Sequence, residues 1–139
     1  MNVFISYAQA DEKIAKKVGK GLEQAGLRVW DLERKMLPGE LWSDSVSKAL
    51  RASDAMIVLV TPDAARSSQV RSEIDFALSK GAFKNRLIPV MVGPPQKIPK
   101  KELPWILWEL QTVSMPDSGN QESGIRQIVQ RLLKAAKAA

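Results

Sequence analysis

Apolar positions along the chain fall into short unbroken runs alternating with longer stretches where they recur every three or four residues. Val3-Phe4-Ile5-Ser6-Tyr7 reads as a first strand. Ile14, Val18, Leu22 and Ala25 then make a helical stripe. Asp11 sits near its start, where negative charge suits the helix dipole, and Gly26 supplies the stop. Arg28-Val29-Trp30-Asp31-Leu32 predicts a second strand, followed by a charged connection from Glu33 to Leu37 that ends in the turn dipeptide Pro38-Gly39. Trp42, Val46, Ala49 and Leu50 stripe a second helix, which Ser53-Asp54 breaks. Ala55-Met56-Ile57-Val58-Leu59-Val60 is apolar at every position, the mark of a parallel strand buried on both faces.

Pro62 stops that strand. A small polar loop follows, and Ser67 or Ser68 offers an oxygen to cap the next helix. Its stripe is Val70, Ile74, Ala77 and Leu78. At about 100° per residue, Glu73 falls on the border of the stripe and Asp75 well away from it, so Glu73 is expected at the rim of the core. Gly81 ends this unit. Arg86 to Val92 predicts a fourth strand, near an edge or irregular at Pro89, which cannot donate to a ladder. Pro94 to Trp108 reads as loop and short helix with Trp105 and Trp108 packed; Leu110 to Ser114 reads as a weaker fifth strand. Ile125, Ile128, Val129, Leu132, Leu133 and Ala136 form the clearest amphipathic stripe. The Lys134-Ala-Ala-Lys-Ala-Ala ending is either a frayed helix or the start of a linker to a further domain.

Five strands alternating with helices predict one α/β domain over 1–139, a flavodoxin-like doubly wound parallel sheet of order 2-1-3-4-5 with helices on both faces. The switch point then lies between the first and third strands. Ser6, Tyr7 and Ala8, the loop after Leu32, and Thr61 to Glu73 would line the crevice there.

Composition narrows the chemistry. With neither histidine nor cysteine, Ser-His-Asp triads, cysteine nucleophiles, disulfides and nearly all zinc sites are excluded, and no metal is expected. Carboxylates, lysine, tyrosine and hydroxyls remain. The lack of cysteine suits a reducing cytoplasm. No apolar run approaches the roughly 20 residues of a membrane helix, and the early strand leaves no room for a signal peptide. The 21 basic residues outnumber the 15 acidic ones. Lys13, Lys16, Lys17 and Lys20 share a helix face without interleaved aromatics, which favours a solvated face over nucleic-acid binding. A basic surface would also attract a diphosphate. Gly19, Gly21 and Gly26 lie within and at the end of a helix, so they make no dinucleotide fingerprint.

Phe4-Ile5-Ser6-Tyr7, Val29-Trp30-Asp31, Leu37-Pro38-Gly39-Glu40, Ser53 to Thr61 and Ser72-Glu73-Ile74, taken in order, resemble a TIR (Toll/interleukin-receptor) domain of bacterial type. The likeness spans essentially the whole chain. Ile5-Ser6-Tyr7 matches the first family box and Pro38-Gly39 the second; the third, a Phe-Trp pair, has no counterpart. The resemblance implies one of two functions. Many such domains hydrolyse or cyclise NAD with one glutamate on the third helix, a position matching Glu73, in bacterial immunity and antiphage signalling. Others, chiefly receptors and adaptors, only self-associate. Many active members carry a tryptophan four residues before the glutamate, where this chain has Gln69.

The enzyme reading makes Glu73 catalytic and NAD the substrate, with no cofactor. Ser6, Tyr7, Ala8, Asp31 and Gln69 would bind that substrate. Tyr7 is equally a core aromatic at a strand end, and Asp31 equally a loop cap. Arg34, Lys35, Met36, Leu37, Pro38 and Gly39 are either a solvated loop or, as the resemblance implies, the surface that meets a neighbouring copy. A fused sensor domain beyond residue 139 is the other partner this reading allows. No nucleic-acid or membrane partner is expected. A phospho-accepting receiver or a flavodoxin is excluded, because Ser6-Tyr7-Ala8-Gln9 supplies neither an acidic cluster nor a phosphate loop.

Overall fold

Six consecutive apolar residues, Ala55–Val60, form strand β3, and none of them is exposed to solvent. The computed structural model describes residues 1–30, 42–80 and 86–138. β3 pairs in parallel with β1 (Asn2–Ser6) on one side and β4 (Leu87–Val92) on the other. β2 (Arg28–Val29) and β5 (Val113–Met115) form the outer strands, giving the order β2-β1-β3-β4-β5. The expected sheet and its central strand are therefore observed.

Strand alternation divides the interior into two cores. Met56, Val58 and Val60 face helices α2 (Trp42–Arg51), α3 (Pro62–Ala65) and α4 (Ser68–Lys80) through Leu50, Ala64, Val70 and Ile74. Ala55, Ile57 and Leu59 face α1 (Glu12–Gln24) and α5 (Glu122–Ala138) through Val18, Leu22, Ile128 and Leu132. Helix α1 ends in a Schellman closure. Gly26, at φ 89°, bonds back to the Glu23 carbonyl, and the Leu27 N–H reaches Leu22 O at 3.0 Å.

Three expectations need correction, and a fourth holds. β5 begins at Val113, because Trp105–Glu109 coils as a 3-10 turn and delays the strand. β4 lies next to the edge strand, as Pro89 led one to expect, and β5 pairs only from Val90 onward, so one side of Pro89 has no ladder to supply. The stretch after Thr61 is helical, since the Thr61 hydroxyl accepts from Ala64 N at 3.0 Å and Pro62 sits at the first helical position. Trp105 is 72% exposed; Leu107 fills the core in its stead.

Candidate functional site

The alternation along β1 assigns its last residues to different cores. Phe4 and Ala8 belong to the α4 side, whereas Tyr7 packs against the α1/α5 side. Ser6, buried and in phase with Phe4, meets α4. That helix starts where the sequence signals it, with Ser67 Oγ accepting from Val70 N at 3.2 Å. One turn later it delivers Glu73.

Glu73 lies deeper than the rim. It is 2% exposed, because Ser6 takes the place of solvent: Ser6 Oγ donates to Glu73 Oε1 at 2.6 Å. Glu73 Oε2 is buried and has no hydrogen-bond partner among the described residues. Burial disfavours the charge and pushes the carboxyl up to about 7, against smaller downward pulls from Ser6 and Gln69. The result is a carboxyl with one oxygen fixed, the other uncommitted, and a charge state balanced near neutrality. It can stabilise a developing cation or exchange a proton. Asp75 is exposed.

A second buried carboxyl escaped the sequence reading. Asp11, 8% exposed in the short turn Gln9–Asp11, accepts from Thr61 Oγ1 at 2.5 Å. Burial raises its pKa, the Thr61 bond opposes this, and Asp63 adds to the rise. Thr61 thus caps α3 and ties the turn after β1 to the end of β3. Thr61-Pro62 was the available signal, as a capping residue followed by a first-turn proline. Arg71, two residues before Glu73, donates to the Glu102 carbonyl and holds α4 to the segment preceding Trp105.

Of the residues expected in the crevice, Ser6 and Gln69 stand with Glu73, and Ala8 lies in the same core. Tyr7 does not join them, for its side chain is on the opposite face of the sheet. Asp31 and Arg34 through Gly39 lie outside the described residues. Among the described residues, no group of three carboxylates is placed to hold a metal ion, and no helix is long and apolar enough to cross a membrane.

The profile of the family described as TIR domain matches residues 3–129. A stimulator of interferon genes protein from Magallana gigas is 33% identical over 95 residues, which is 66% of this chain and 23% of that protein. The structure of a TIR-STING receptor from C. gigas, in complex with 2',3'-cGAMP, superposes with a TM-score of 0.75 at 27% identity, covering 94% of this chain and 38% of that one. The TIR domain of the Toll-related receptor TRR-2 from Hydra magnipapillata gives a TM-score of 0.71 at 21% identity, with 99% and 98% covered. The chain therefore spans about a quarter of the length of the curated relative it matches.

Proposed function

The chain belongs to the TIR domain family, and from that premise we propose that it cleaves the nicotinamide–ribose bond of NAD, with Glu73 as the catalytic residue. The observation that carries this reading is the buried carboxyl with one oxygen fixed by Ser6 and the other unpaired. The C1′–N bond breaks with its electron pair passing to the pyridinium nitrogen, so nicotinamide leaves neutral and needs no acid. The ribosyl cation left behind is oxocarbenium-like. Glu73 Oε2 accepts from ribose hydroxyls and places negative charge beside it, where low dielectric strengthens the effect. Water captures the cation and releases a proton, giving ADP-ribose; capture by an adenine nitrogen gives a cyclic product instead. Gln69, one turn before Glu73, borders the ribose side. A role in immune signalling, in a cytoplasmic setting and under a sensor domain joined to this one, follows the family's usage.

Purified domain incubated with NAD should release nicotinamide. Glu73→Gln keeps shape and most hydrogen bonding, and should lower turnover about a hundredfold or more. Asp75→Asn, on the solvent side of the same helix, should retain it. Release unchanged in Glu73→Gln would remove Glu73 from the chemistry, and release absent from the native domain in excess NAD would make the domain an assembly module without turnover.

A further inference from the structure

The lysines of α1 acquire a second meaning from their position against α5. Lys17 and Lys20 line one wall of a cavity of about 700 Å³, and Arg126 on α5 lines the other. None of the three is ion-paired with a carboxylate among the described residues. Glu122 contributes the one acidic side chain to the lining, so the walls keep a net positive charge. The cavity exists because the helices close on a glycine. A Cβ on Gly21 would stand 2.5 Å from Ile125 Cγ2, and both residues belong to the lining.

Gln121 supplies an independent sign of a ligand. It lines the cavity, is 4% exposed, and its amide orientation is fixed by donation from Nε2 to Pro116 O at 2.8 Å. Its Oε1 is then a buried acceptor with no partner among the described residues. An unpaired buried acceptor costs stability until a donor arrives. Cations call for an anion, and Gln121 calls for a hydroxyl or N–H. We propose that the α1/α5 cavity binds a phosphorylated sugar of about mononucleotide size. Phosphate would face Lys17, Lys20 and Arg126, and a sugar hydroxyl would donate to Gln121 Oε1. The volume falls within the usual few hundred to a thousand Å³ of small-molecule sites. This face of the sheet is opposite the one carrying Glu73, so the site is separate from the proposed chemistry.

The test is a titration of isotope-labelled domain with ribose 5-phosphate, inorganic phosphate and ribose, following backbone amide shifts. The expected result is saturable movement at Gly21, Asn120, Gln121 and Ile125 with ribose 5-phosphate, and affinity at least tenfold weaker for either fragment. Replacing exposed Lys20 and Arg126 together (Lys20→Gln, Arg126→Gln) should weaken ribose 5-phosphate at least tenfold and leave the amide spectrum otherwise native. Equal affinity for inorganic phosphate would reduce the site to a patch of surface cations and overturn the proposal. So would shifts confined to the surroundings of Glu73, or no saturable shift. Nicotinamide release plays no part in this readout, so the two readings fail separately.

Discussion

At the scale of single residues, the carboxyl of Glu73 sets a pH dependence whose sign is fixed. Its folded-state pKa of about 7 lies above the ordinary 4.5, which corresponds to about 3 kcal/mol between the two protonation states. Between those values the unfolded chain has lost the proton while the folded chain keeps it. Stability therefore falls as pH rises from about 4.5 to about 7, and this contribution is flat above. Glu73→Gln abolishes that slope. Denaturant titrations should find the variant close to native near pH 4.5 and more stable by about 3 kcal/mol at pH 8. Equal stabilities at pH 8 would mean that the carboxyl is not desolvated. Activity should run the other way, because the proposed chemistry uses the charged form. For native protein, kcat/KM for NAD should rise through pH 7. A flat profile from pH 6 to 8 would detach the chemistry from this group.

Elements pack through small contacts that the helical stripe does not reveal. Gly19 and Gly21 both sit inside α1, yet a Cβ at Gly19 would meet Val29 and Ile5 no closer than 3.7 Å, whereas at Gly21 it would collide with Ile125. Gly19→Ala should gain about 0.5–1 kcal/mol from helix propensity. Gly21→Ala should lose about 1–3 kcal/mol by forcing α1 from α5. Denaturant midpoints moving the same way in both would contradict the packing. The sequence carried the sheet order, the two-sided burial of β3 and the cap of α4, because each follows from local spacing. Glu73's depth was out of reach, since spacing puts it on a border and the Ser6 hydroxyl that draws it inward lies 67 residues away. The Asp11–Thr61 bond spans 50 residues and was hidden for the same reason. Of the two readings open for Tyr7, its packing matches the core aromatic, because lying next to Ser6 in sequence puts it on the other face.

At the scale of the whole molecule, one apolar feature of the sequence and one of the surface bear on association. Met36 and Leu37, in the connection that lies outside the described residues, interrupt a charged run, and Trp105 stands 72% exposed beside half-exposed Ile106. Apolar side chains grouped at a surface favour association. We expect weak self-association, with nicotinamide release rising faster than linearly with protein concentration. Strict proportionality with monomer-only light scattering would argue against it. Pro38 or Gly39 replacement should lower activity with the fold retained by circular dichroism. Trp105 also turns the molecule into its own optical probe. An indole this open to water emits at the red end of its range and is readily quenched by acrylamide. Trp108 lies half-sunk with Lys100 Nζ 5.4 Å from its ring centroid, so the two rings differ in access to quencher. A blue shift and loss of quenching on concentration, absent after Trp105→Phe, would report in light whether copies meet at this face.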